Sequence, residues 1–181
     1  MSEEVKTPPA DDEELWAAFV DGDDEALREL ARRYRDELFW YLLLSTGTQQ
    51  AAAQHLMNVW DILARYRRPY EGFDSFRSWL YAVATQNSVP ATHPEPLGLM
   101  DLIGDLKRGK ARTRRGRLFF HLTDLTRAVR QPFLLATVGG LNIEETAAVC
   151  NFTRRKTEAC LRKACRFLRR SGLFEGEADE V

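Results

Sequence analysis

Between Glu37 and Asp61 the sequence contains no aspartate, glutamate, lysine or arginine. That leaves 23 consecutive uncharged residues, Leu38 to Trp60, in a chain that is 29% charged. Random placement would give such a run with a chance below about one in a thousand per starting point, against ordinary composition. The stretch is nevertheless not a membrane span. Its strongly apolar part, LFWYLLL at 38–44, is far too short. The acidic N-terminus, MSEEVKTPPADDEE, lacks the apolar centre of a signal peptide. These absences predict a cytoplasmic protein without membrane insertion. The three cysteines, Cys150, Cys160 and Cys165, form no CxxC pair, which argues against a disulfide frame or a zinc site and for buried reduced thiols. His55, His93 and His121 stand in unlike contexts, and Gly139-Gly140 lacks a phosphate-loop pattern. Nothing nominates a catalytic group, a metal or a cofactor, so no enzyme is expected.

What is present is helical periodicity and a lopsided charge. Residues 1–25 hold ten acids against Lys6, whereas residues 107–170 hold 17 Lys and Arg against four acids, a net charge of +13. The basic half has the electrostatic footprint of a nucleic-acid binder. Apolar residues recur at three- and four-residue steps through helices over about 11–20, 23–44, 49–65 and 75–86. Asp23 is placed to cap the second helix, Ser45-Thr46-Gly47 to form a turn, and Thr48 to cap the third. The third helix would bury Ala52, Leu56, Val59, Trp60 and Leu63, and the fourth Phe76, Trp79, Leu80 and Val83. Prolines 90, 94 and 96 and the run KRGKARTRRGR then break the pattern, which resumes near Leu118. The expected fold is all-α. A tail covers 1–10, a helical domain 11–88, a flexible linker 89–117, a second helical domain 118–172, and an acidic tail 173–181.

In the second domain, Asn142 with Glu145 forms a capping-box start for IEETAAVC, CNF is a tight turn, and Thr153 caps a further helix. Two helices joined by such a turn follow the helix-turn-helix plan, in which the start of the second helix enters the major groove. Arg154, Arg155 and Lys156 sit at that start. Arg162, Lys163 and Arg166 suit backbone contacts further along. An ordinary helical hairpin with basic ends fits the same pattern.

Three segments carry a wider resemblance: DEELWAAFVDGDDEALRELARRYRDELFWYLL, SFRSWLYAVATQN and GLNIEETAAVCNFTRRKTEACLRKA. Over about residues 11–170 the chain resembles bacterial sigma factors of the extracytoplasmic-function class. The segments match, in order, the opening of region 2, its F-R-x-W-L-Y-x-I-A helix, and the helix-turn-helix of region 4 that reads the −35 element. The resemblance implies a transcription initiation factor whose partners are the RNA polymerase core, through the β′ clamp helices, and promoter DNA. It implies −35 contacts by Thr153, Arg154, Arg155, Lys156, Glu158, Arg162 and Lys163. It also places the −10 specificity loop near Arg67, Arg68, Tyr70 and Phe73, where aromatics beside cations can stack an unpaired base. Those aromatics are equally suited to packing the domain.

The uncharged stretch now acquires a meaning. Family members typically read G-D-x-x-D-A-E-D-L-V-Q-E-x-F where this chain reads GTQQAAAQHLMNVW. Thr48, Ala51, Ala53, Gln54 and Asn58 stand at places where carboxylates are usual. The polymerase-facing side implied by the resemblance, Gln50, Ala51, Ala53, Gln54, Met57 and Asn58, therefore lacks the charge that steers and holds a basic partner. The sequence is similar to sigma factors of this kind that are paired with Ser/Thr kinases. Phosphorylation of Thr48, or of Thr46 or Ser45, would return negative charge, which is favoured at a helix N-terminus. A plain N-cap role for Thr48 fits as well, and so does an engineered alanine at 51. Three other readings stay open: polymerase contact made by other residues, an adaptor that mimics a sigma factor to capture an anti-sigma regulator, and a stand-alone DNA-binding repressor. Two further departures bear on DNA contact. Pro90 would stop the fourth helix before a basic promoter-facing stretch, and Glu158, Cys160 and Cys165 occupy places that are commonly basic.

Overall fold

The computed structural model describes residues 10–86, 121, 122 and 124–171. Among them there is no strand, and the elements are seven helices. These are α1 (Asp12–Asp21), α2 (Asp24–Thr46), α3 (Gln49–Tyr66), α4 (Phe76–Gln86), α5 (Arg127–Thr137), α6 (Ile143–Cys150) and α7 (Arg154–Arg170). The expected linker, both terminal tails and Pro90 lie outside the described residues. No helix among the described residues is long and apolar enough to cross a membrane.

Local chemistry sets the boundaries. Asp11 and Glu14 form a capping box at α1, and the Asp23 carboxylate accepts the Glu25 amide at the start of α2. Ser45 and Thr46, expected in a turn, instead complete the last turn of α2. Their hydroxyls donate to the Tyr41 and Leu42 carbonyls at 2.7 and 2.8 Å, and the break is displaced to Gly47 in the left-handed conformation (φ 84°). Thr48 then caps α3 by accepting the Ala51 amide at 3.1 Å. Thr48→Ala is expected to destabilise the chain by about 1 kcal/mol, read as a lower urea midpoint at unchanged slope.

The core of the first four helices is an aromatic cluster. Trp16 packs against Phe19, Phe76 and Trp79 with ring centroids 5.1, 5.5 and 4.9 Å away, and its indole N–H donates to the Arg68 carbonyl. The Glu13 carboxylate accepts the Phe76 amide and so caps α4 from α1. On α3 the buried residues are Ala52, His55, Val59 and Leu63, while Leu56 and Trp60 are half-buried. His55, unanticipated there, has its Nδ1 buried without a partner, and burial pushes its pKa down.

The two sets of helices are packed together. α4 lies against α6, and α2 against α5. As a result α4 is buried almost all round: Ser78, Tyr81, Ala82, Ala84 and Thr85 join Phe76, Trp79 and Leu80 inside, whereas Val83 is only half-buried. Polar ties cross the boundary. Arg77 holds Glu37 of α2 at 2.5 Å and donates to the Gly139 carbonyl at 3.0 Å. The Ser75 hydroxyl donates to Glu145 at 2.8 Å, while Glu145 also caps the Asn142 amide at 2.9 Å.

Candidate nucleic-acid and partner-binding surfaces

α6 and α7, joined by the short turn 151–153, are built from the residues that the pattern singled out. Asn142 and Glu145 complete the capping box of α6, Asn151 closes it in the left-handed conformation, and Thr153 accepts the Lys156 amide at the start of α7. Arg154, Arg155 and Lys156 are all exposed, although α6 lies against α4. Closure of the two domains therefore leaves the start of α7 open to solvent. The three cations are not equivalent. Arg154 pairs with Glu144 and, at 3.1 Å, with Glu158. The Lys156 ammonium sits 3.5 Å from the centre of the Phe152 ring. Glu158 also reaches Arg162 at 3.5 Å, and hydrogen bonding to Arg154 pulls its carboxyl below the usual range. Glu158 is thus neutralised within α7 and does not stand as an isolated repulsive charge. Lys163 and Arg166 extend the exposed basic face. The apolar side of α7 buries Thr157, Ala164 and Leu168.

The 67–73 loop is more committed to its own domain. Arg67 ends α3, donates to the Phe19 carbonyl at 3.1 Å, pairs with Asp24 at 2.7 Å and covers the Phe19 ring. Tyr70 stacks on Trp79 with rings 18° apart, and Phe73 is half-buried against the core. Arg68 is exposed beside the Tyr66 ring. The loop brings these residues together, yet its aromatic faces serve the domain interior in this arrangement.

The uncharged stretch divides in two. Leu38, Tyr41, Leu42, Leu43, Ala52, His55 and Val59 are buried, so burial accounts for seven of the 23 uncharged positions. It does not account for the rest. Gln50, Ala53, Gln54 and Met57 are exposed on the outer side of α3, with Met57 64% accessible, and Trp40 of α2 is 51% accessible. Ala51 and Asn58 are half-buried at the edge, and Asn58 accepts a hydrogen bond from Gln54 at 3.1 Å. The face expected to contact polymerase is accordingly solvent-facing and neutral. Ser45, Thr46 and Thr48 lie half-buried at the α2–α3 corner, and Thr46 also reaches the Thr48 carbonyl at 3.3 Å.

The cysteines are only partly as expected. Cys150 and Cys160 are half-buried, and burial pushes the Cys150 thiol up to about 12. Cys165 is exposed, because it falls on the outer side of α7 away from Ala164 and Leu168. No group of three or more His, Cys, Asp or Glu among the described residues is arranged to hold a metal ion.

No protein-family model matches this sequence, and comparison with curated proteins yields no significant relative. Solved structures do match. One is CnrH in complex with the cytosolic domain of CnrY, superposing with a TM-score of 0.70 at 16% identity over 92% of this chain and 99% of that chain. The fold of this chain is therefore the all-helical fold that CnrH also has.

Proposed function

We propose that this protein is an extracytoplasmic-function-type sigma factor that directs promoter-specific transcription initiation in the bacterial cytoplasm. The observation that carries this reading is the sigma-like fold over nearly the whole chain, combined with an exposed cationic start to α7. The first four helices would dock on the β′ clamp helices of core polymerase through Gln50, Ala51, Ala53, Gln54, Met57 and Asn58. Thr153, Arg154, Arg155, Lys156, Glu158, Arg162 and Lys163 would engage −35 DNA. Arg68 is the residue of the 67–73 loop best placed for −10 DNA, because it is exposed with only the Tyr66 ring beside it, whereas Arg67 is paired with Asp24 and Tyr70 and Phe73 pack on the core. The neutral outer face of α3 supports regulation by a Ser/Thr kinase, with Thr48 as acceptor. A phosphate there adds roughly −1.5 to −2 at the helix N-terminus, where anions are favoured.

The test is binding to purified core polymerase. Thr48→Glu, with Ala51→Glu in parallel, is expected to tighten binding about fivefold, since one well-placed interfacial charge supplies on the order of 1 kcal/mol. Equal affinity in all forms would remove the charge-supply idea. A second reading is favoured by the solved structure of CnrH with the cytosolic domain of CnrY. On that reading the chain captures an anti-sigma regulator, and tight capture without any polymerase affinity would establish it in place of the first.

A further inference from the structure

Among the described residues, half-buried arginines have carboxylate partners, with one exception. Arg33 pairs with Asp12 and Glu29, and Arg77 pairs with Glu37. Arg130, from α5 of the C-terminal domain, is also half-buried, but its Nη2 donates to the Ser45 carbonyl at the end of α2, 3.4 Å away. Among the described residues no carboxylate pairs with it or with Arg127, one helical turn earlier, and Asp124 is not in ion-pair contact with either. Burial and the Arg127 charge both work against the Arg130 guanidinium, pulling its pKa down. The surface it faces belongs to the stretch Leu38–Trp60, which contains no acid. The fold thus presses a cation that has no counter-charge among the described residues against a serine.

We propose that Arg130, assisted by Arg127, is a receiving site for a phosphate on Ser45, and that this modification clasps the C-terminal domain onto the N-terminal helices. The inference rests on the reading of the 45–48 segment as a site of phosphorylation. A phosphate on Ser45 would lie at the carboxy end of α2, where the helix dipole disfavours an anion. It therefore needs a nearby cation, and Arg130 is already in place on the same residue. The guanidinium fork suits a bidentate contact with phosphate oxygens. The Ser45 hydroxyl now donates back to Tyr41 and would give up that bond on modification. Thr48, at the amino end of α3, has no such dipole penalty. Two hydroxyls three residues apart then act in opposite directions. Charge on Thr48 serves the outer face, whereas charge on Ser45 tightens the packing that covers α4.

A double-mutant cycle in the full-length chain tests this, with Ser45→Glu, Arg130→Gln and the pair compared by thermal unfolding at low and high salt. A chain with phosphoserine incorporated at 45 is measured beside them. The expected result is that charge at 45 raises Tm by about 2–4 °C when Arg130 is present, a shift abolished by Arg130→Gln and reduced in 0.5 M salt. The same shift of either sign in both backgrounds, for glutamate and phosphoserine alike, would overturn the proposal. Polymerase binding by the Thr48→Glu chain separates the two ideas. If it stays tight when Arg130→Gln removes the coupling, the kinase-regulated sigma reading stands on Thr48 alone. If the coupling is present but no form binds polymerase, the clasp stands and the sigma reading fails.

Discussion

Gly139→Val is expected to drive the two helical domains apart. A Cβ at position 139 would lie 2.7 Å from the Leu135 carbonyl oxygen and 3.2 Å from two ring carbons of Tyr81. Neither neighbour can retreat cheaply. The Leu135 carbonyl is backbone and accepts the Leu141 amide, while the fully buried Tyr81 ring packs edge-on to Tyr41 and its hydroxyl donates to Glu37 at 2.6 Å. Overpacking of this kind costs about 1–3 kcal/mol. The Leu135 clash lies within the α5–α6 turn and must be taken up there, whereas the Tyr81 clash is relieved if the 139–142 turn leaves α4, which also breaks the Arg77–Gly139 and Ser75–Glu145 ties. Small-angle scattering should show a larger radius of gyration, and amides of α4 should exchange faster. A variant with the parent's scattering profile and Tm would show that this contact does not hold the domains together.

Replacing Arg154, Arg155 and Lys156 together by alanine is expected to lower DNA affinity by about 10²–10⁴, taking roughly 1 kcal/mol or more per lost contact. The dependence of log affinity on log salt should become shallower by up to about 2.7, from three lost phosphate contacts at about 0.9 each. Arg155 should dominate, because Arg154 is held by Glu144 and Glu158 and Lys156 lies over Phe152. Substituting the exposed residues should leave the fold intact, since the face of α7 that packs inside comprises Thr157, Ala164 and Leu168. Fluorescence anisotropy on promoter-length duplexes over a salt series provides the measurement. An unchanged slope would mean that the start of α7 does not meet phosphates.

Much of the local structure could be read before any coordinates, because caps and periodicity are short-range. Asp23, Thr48, Asn142–Glu145 and Thr153 each cap a helix where the sequence places one. The α2 end was misplaced by two residues, since Ser and Thr hydroxyls that bond back to the preceding turn resemble turn residues in a sequence. The inner side of α4 was read only in part. Ser78, Ala82, Ala84 and Thr85 look like solvent-tolerant positions, and tertiary packing buries them: α6 joins α1 and α3 around that helix, and the Thr85 hydroxyl meets that of Tyr41 from α2 at 2.6 Å.

The amino-acid order alone determined the helices, their caps, the charge asymmetry and the absence of charge from α3 before Asp61, because each is set by which residues stand near one another along the chain. Which cations stay exposed, which loop aromatics face inward, and that Arg130 meets Ser45 across 85 positions of chain were decided only by tertiary packing. The reason is that burial and electrostatic pairing depend on distance in space, and sequence separation does not report that distance once helices pack side by side.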